Sequence, residues 1–397
     1  MSVIFESAGY QADPRKAATH VLLIGCGEYP GLAASGHPLQ PLKPPRHSVI
    51  AMADWFLSGT DAMPPAHALS PEKAFHNPSA PLGTLAMLVS PMDDYTTPSG
   101  IVATCTRPTR DNIQRAYHEW VGRLGTNPES RGIFYFCGHG LSDGINQSLV
   151  ADDIFETAHN RWGGLFHVSN TCQATIRATK ATLAFWVDAC AEFSEDVLNT
   201  INPTQGLLDG PRSGIPLTRD WSVLRATTTN RRAFAPEDGV ARFTDALLRA
   251  LKGHCGTQRT LASEFSIAAS ELRTATADFL AYSQRNINGE RQELGSADGD
   301  GAGETPLHVL TSRPVVLVEM DVEPRGCRAI ACAFMEDAAN GREQKPLAAG
   351  PAGFLKEQGE WSLGASPLDG QFEERVFARQ LLKNAAVVRS IPIEFPE

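Results

Sequence analysis

Two short segments of this chain carry residues able to do covalent chemistry. Residues 133–140 form an apolar run of strand length that leads through Cys137 and Gly138 into His139 and Gly140. Residues 183–190 form a second such run, leading through Asp188 and Ala189 into Cys190. A thiol with an ordinary pKa of about 8.5 is mostly protonated at neutral pH, and a nearby imidazole can take its proton or hold it in an ion pair. Gly140 has no side chain, so its N–H can approach a developing oxyanion, and the N–H of Cys190 can supply a second donor. Either half alone is ordinary, since a lone buried cysteine is usually a small core residue and glycine-flanked histidines occur in tight turns. The conjunction at two consecutive strand ends is what points to thiol catalysis.

The surrounding pattern explains how two such ends could meet. Apolar runs at 21–25, 85–89, 132–137, 182–187 and 221–227 alternate with helix-period segments, which predicts a mostly parallel sheet covered by helices on both faces. The helical segments start near Pro45 and end near Gly59, run from Asp111 to Leu124 with Thr109 or Asp111 as cap, and follow again near Phe243 and from Phe265. In such a sheet ligands collect at the carboxyl ends of strands, and consecutive strands are usually neighbours. Strand spacing of roughly 4.8 Å then brings His139 and Cys190 across one substrate carbonyl. The segment 286–304, rich in Gly, Ser and Asp, reads as a flexible loop before a sixth and last strand at 307–310. Its Asp-Gly-Asp-Gly lacks the ligand spacing of a calcium loop. The division expected is an N-terminal extension over 1–16, a catalytic domain over 17–313 and a small β-rich module over 314–397.

The bulk composition narrows the function classes. With 45 acidic and 35 basic residues the net charge is -10, which repels a phosphate backbone, so nucleic acid is not an expected partner. No apolar stretch reaches the length of a membrane span or of a signal peptide, and the eight cysteines form no Cys-x-x-Cys pair. A cytoplasmic protein with free thiols, no metal, and no membrane partner is the expectation.

The segment 134–140 resembles the histidine motif of metacaspases and bacterial caspase-like peptidases, and 187–190 resembles their cysteine motif. The separation of about fifty residues also suits that class. Softer similarity extends over roughly 17–313: the first strand with Tyr29-Pro30, the run 221–228 with the following Phe243 to Leu248, and Thr305-Pro306 before the last strand. The resemblance implies a caspase-like α/β fold with a six-stranded sheet, and a cysteine endopeptidase acting through an acyl-enzyme. In it Cys190 attacks, His139 protonates the leaving amine, and Gly140 and Cys190 hold the oxyanion. It further implies substrates that are proteins or peptides, latency as a zymogen, and a place in a bacterial signalling, death or defence cascade with an activating protease or regulatory protein. No cofactor is called for, with calcium activation as in some metacaspases left open.

Asp188 stands where family members that cut after arginine or lysine carry an acid, and a partly buried carboxylate pairs with a cation and rejects an acidic side chain. Capping a turn is its alternative role. Where the family carries a second pocket acid this chain has Arg46-His47-Ser48, so that acid is missing or displaced, and Asp93 and Asp94, just past the second strand, are candidate substitutes. Cleavage only after acidic residues would instead implicate Lys43 or Arg46. Residues 232–235, with Ala233, Phe234 and Ala235, lie where the family offers an edge strand to substrate, although a plain surface loop reads equally well. Arg212 and Arg219, in the long loop after the cysteine, are candidate processing sites. Two rivals stand beside the thiol reading. Gly140 to Gly144 matches Gly-x-Ser-x-Gly, which would make Ser142 a serine nucleophile if a helix followed it, and 145–149 shows no good helix start. The other rival is a silent caspase-like scaffold.

Overall fold

The computed structural model describes residues 2–32, 39–58, 74–91, 94–195, 205–210, 214–218, 220–228, 231, 233–234, 236, 238–258, 264–287, 290–295, 298–300, 305–310, 312–337, 341–368, 370–383 and 385–394. The elements that matter for the site are β1 (Val3–Glu6), β2 (Thr19–Cys26), α1 (Pro44–Ser58), β3 (Leu82–Ser90), α2 (Arg110–Leu124), β4 (Arg131–Gly138), α3 (Val168–Ala178), β5 (Thr182–Ala189), β6 (Trp221–Arg225), α4 (Arg242–Arg249), α5 (Ala269–Ser283) and β7 (Asp298–Asp300). The sheet order is β1-β3-β2-β4-β5-β6-β7. The five inner strands are mutually parallel, and the two edges are antiparallel.

Alternation along the strands builds two cores from one sheet. Val21, Leu23, Ile133, Tyr135, Ala184 and Trp186 face α1, α4 and α5. Leu22, Ile24, Phe134, Phe136, Leu183 and Phe185 face α2 and α3. Both faces are buried, so the strands read as continuous apolar runs, and each large side chain hidden this way contributes roughly 1.5–3 kcal/mol. Helix α2 begins at Thr109, whose hydroxyl accepts from Asn112 N at 3.3 Å, while Asp111 sits in the first turn. The expected mostly parallel sheet with helices on both faces is therefore present.

The sheet edges depart from expectation. His308–Leu310 does not rejoin the sheet; it pairs antiparallel with Phe265–Ile267, where a helix start was expected. The edge beside β6 is taken by β7, from the segment read as a flexible loop, and the opposite edge by β1, from the segment read as an extension. Edge pairing is made by backbone groups, so Asp-Gly-Asp can join a ladder that its side-chain pattern does not advertise. Helix α3 and the hairpin Gly140–Ser142/Gln147–Val150 fill what the sequence pattern left as loop.

Residues 315–392 form two sheets of three and four strands around a core of their own, with Val316, Val318, Met320, Ala333, Met335, Phe354 and Leu363 inside. This sandwich docks on α5: Ala385 N donates to Asp278 Oδ2 at 3.1 Å, and Glu319 accepts from Arg285 Nε at 2.9 Å and Tyr282 Oη at 2.8 Å.

Candidate active site

Strand register does most of the assembly. Asp188 pairs with Cys137 and Ala189 with Gly138, so the next residues along the two strands, Cys190 and His139, stand abreast. Period-two alternation puts Cys137 and His139 on one face of β4, and Asp188 and Cys190 on the same face of β5. All four line a cavity of about 430 Å³. Its walls come from the loop before α1 (Pro41, Leu42, Lys43) and the loop before α4 (Ala233, Phe234, Pro236). Gly140 is indispensable to this closure: a Cβ there would lie 2.1 Å from the Cys190 carbonyl oxygen.

His139 is held from two sides. Its Nε2 lies 2.7 Å from the carbonyl oxygen of Gln40. A carbonyl only accepts, so Nε2 carries the hydrogen in this contact. Its backbone N donates to Tyr29 Oη at 3.0 Å, and that hydroxyl donates in turn to Cys26 O at 2.7 Å. The Tyr29 ring also packs against the imidazole, with centroids 5.1 Å apart.

Cys190 is held by the loop before α4. Ala233 N donates to Sγ at 3.2 Å, and Sγ lies 3.7 Å from Ala233 O. The next residue points the other way: Phe234 N donates to Gln292 Oε1 at 2.9 Å, and Phe234 O accepts from Arg242 N at 3.2 Å. Successive peptide groups of an extended segment face opposite sides, so Phe234 is tied inward and Ala233 offers its N–H and C=O toward the cavity.

Asp188 is fully buried, and burial pushes its carboxyl up to about 7, against the downward pull of its Thr244 hydrogen bonds. Oδ2 accepts from Thr244 N at 3.2 Å and from Thr244 Oγ1 at 2.5 Å. Thr244 lies in the first turn of α4, whose N-cap, Ala241, has no side-chain oxygen. Asp188 therefore caps a helix across the fold while also lining the cavity. Ser48 Oγ accepts from Ala241 N at 3.0 Å, completing the helix start. Burial also pushes the Cys137 thiol well up, which keeps this second cavity thiol protonated.

Residues 18–288 match the family described as "Caspase domain". The chain belongs to the caspase-domain family. That family is one of cysteine peptidases. A protein of Sinorhizobium fredii (strain NBRC 101917 / NGR234), named only as uncharacterized protein y4kE, is 48% identical over 347 residues, covering 87% of this chain and all of the relative. Among solved structures, protein GSU0716 from Geobacter sulfurreducens aligns with a TM-score of 0.41 at 12% identity, covering 72% of this chain and 94% of that one. Caspase-1 from Spodoptera frugiperda aligns with a TM-score of 0.39 at 11% identity, covering 74% and 88%.

Other residues singled out in the sequence of the caspase domain fall in different places. Asp94 is exposed on the hairpin Asp94–Thr96/Val102–Thr104, accepts from Thr104 Oγ1 at 3.0 Å and does not line the cavity. It is thus not a pocket acid here, because the hairpin carries it away from the β4 and β5 ends. Lys43 does line the cavity and pairs with Asp238 at 2.8 Å, whereas Arg46 is exposed on α1 and does not line it. Ser142 is fully buried in a hairpin and accepts from Gly144 N at 3.0 Å; a strand follows it, not a helix, so the serine-nucleophile geometry is absent. Asp93, Arg212, Arg219 and Ala235 lie outside the described residues. Among the described residues no group of three or more His, Cys, Asp or Glu is placed to hold a metal ion, and no helix is long and apolar enough to cross a membrane. Gln40 and Gln292 went unnoticed in the sequence, and Tyr29 and Thr244 entered only as parts of matching segments, without a role. Gln40 acts through its backbone, and the others act across 56 to 110 positions of chain.

Proposed function

We propose that this caspase-like chain is a cysteine endopeptidase that cleaves protein or peptide substrates after arginine or lysine. The observation that carries the reading is the joint presence of Cys190, His139 and buried Asp188 on one cavity wall. The Cys190 sulfur attacks the carbonyl carbon while its proton passes to His139 Nδ1. The oxyanion that forms turns toward the N–H groups of Gly140 and Cys190. His139 then protonates the departing amine, leaving a thioester; water, deprotonated by the same imidazole, attacks the thioester carbonyl, and the C–S bond breaks to release the acid and restore the thiol. The Gln40 carbonyl supports the imidazolium formed between these steps.

The main chain of Ala233 supplies antiparallel pairing to an extended substrate. Its N–H and C=O are engaged by the thiol itself in the free protein, so substrate must displace that contact, which suits a latent enzyme. A substrate cation reaching Asp188 favours the ionised carboxylate that burial alone disfavours, which makes the pairing selective.

Fluorogenic peptides that vary the residue before the scissile bond test the reading on wild type and Cys190→Ala, repeated after limited trypsin treatment. Hydrolysis of the arginine and lysine peptides, lost in Cys190→Ala, is the expected result. Hydrolysis after aspartate or glutamate alone would overturn the specificity and direct attention to Lys43. Silence throughout, with no labelling by thiol probes, would leave a scaffold.

A further inference from the structure

Gln147 is a buried side chain that touches the nucleophile's own peptide from the hairpin side. It sits on the hairpin after His139, opposite Ser142, and is only 6% exposed. Its Nε2 donates to Ala189 O at 3.3 Å and to Cys190 O at 2.9 Å. Both neighbours are carbonyls that can only accept, so the amide's orientation is fixed with nitrogen toward the nucleophile. Oε1 is buried with no hydrogen-bond partner among the described residues. An orphaned buried acceptor is destabilising, and a methionine of similar volume would avoid that cost. The amide is thus poorly explained as packing.

We propose, resting on the peptidase reading above, that Gln147 is a positioning residue for the oxyanion hole. A trans peptide is planar, with its C=O and N–H directed to opposite sides. Gln147 grips the Ala189 carbonyl, so the N–H of Cys190, at the other end of that peptide unit, is directed away from the hairpin. Cys190 lines the cavity and Gln147 does not, which places that N–H on the substrate side. The second bond holds the Cys190 carbonyl, the oxygen against which Gly140 closes. One amide therefore fixes the peptides beside both oxyanion donors. A tetrahedral oxyanion exists only in the transition state and its analogues, so the benefit is confined to that stage.

The test compares wild type with Gln147→Met and Gln147→Glu in the full chain. Four quantities are read: thermal midpoint, kcat and KM on the best peptide, inhibition by a peptide aldehyde of the same sequence, and alkylation of Cys190 by iodoacetamide. The aldehyde forms a hemithioacetal oxyanion and needs the donors; alkylation needs the thiol alone. In Gln147→Met, kcat is expected to fall about 10- to 100-fold, less than outright loss of a donor, with KM held within about 2-fold. Aldehyde affinity should fall in parallel with kcat, while alkylation stays within about 2-fold of wild type. Gln147→Glu sets a carboxylate against two carbonyls and should lose aldehyde affinity at neutral pH, regaining part of it in acid, where the protonated carboxyl can donate. A folded Gln147→Met with unchanged kcat and aldehyde affinity overturns the inference. So does alkylation that falls as far as kcat, since the thiol itself has then moved. If Gln147→Met does not fold, a pH-independent aldehyde affinity in Gln147→Glu decides against it. A wild type that hydrolyses no peptide defeats the peptidase reading first, and this inference with it.

Discussion

The carboxyl end of the parallel sheet and the C-terminal sandwich bury their side chains by opposite rules. In the sandwich the inward residues of alternating strands are apolar, and the buried polar residues among those described are Glu319 and Ser366. Its charges pair outside, as Arg342 does with Glu374 at 2.8 Å and Lys356 with Glu343 at 2.6 Å. Around the cavity, by contrast, Asp188, Thr244, Ser48, Gln147 and Gln292 are all buried. Each such group loses water and regains only what its partners supply. The sandwich is ordered by hydrophobic burial, whereas the cavity end gives up stability to hold polar atoms in fixed directions, as a preorganised site requires. Glu319, the sandwich's buried acid, faces Arg285 and Tyr282 at the end of α5. From there Gln284 holds Gln292, which holds Phe234 beside the thiol.

Substitutions that strike one region and spare the other probe this contrast. The largest effect is expected from Cys190→Ala: hydrolysis falls by about 10⁴-fold or more, as on loss of a nucleophile, with the thermal midpoint nearly unchanged. Retained hydrolysis would send the search to another nucleophile. Next is Asp188→Asn, expected to lower kcat/KM for arginine peptides about 100-fold, the scale of leaving a buried cation unpaired, while citrulline peptides change little.

The pH dependence of Asp188 sharpens the same point. Burial raises its carboxyl to about 7 in the folded chain, so the native state holds a proton there that the unfolded chain has already released above about pH 4. Folding stability should therefore fall as pH rises from about 4 to about 7 and level off above, and Asp188→Asn should remove that slope in urea titrations. The preference for arginine over citrulline should rise through the same pH as the carboxylate forms. A flat ratio would detach Asp188 from substrate.

Phe354→Ala, in the sandwich core, should cost about 3–5 kcal/mol in a denaturation of that region while leaving the arginine-to-citrulline ratio unaltered. A shifted ratio would show that sandwich packing reaches the cavity through α5. Gln292→Ala removes the inner tie on Phe234 and should raise KM about 5-fold, in line with loss of roughly one hydrogen bond. Smallest of all, Lys43→Ala breaks the exposed pair with Asp238, and rates within about 2-fold of wild type are expected.

What could be read in the sequence was whatever local periodicity records. Continuous apolar runs gave the five inner strands, helical spacing gave α1, α2 and α4, and the residues that close β4 and β5 pointed to His139 and Cys190. The edges were illegible because β1 and β7 join through backbone groups, and Asp-Gly-Asp has the composition of a linker. The hairpin after His139 and α3 were lost among short, mixed segments whose burial comes from the sheet they cover.

The identities of His139 and Cys190, and their order at neighbouring strand ends, were set by the sequence alone, because alternation in a strand follows from residue number. Only the tertiary structure decided how each is held. It chose Asp188 as both helix cap and cavity floor, set Asp94 apart, made Gln40 a partner through an atom every residue possesses, and turned Gln147 toward the peptide of Cys190. Those contacts join positions far apart in the chain through hydrogen bonds whose strength depends on direction and burial, and neither is written in the spacing of residues.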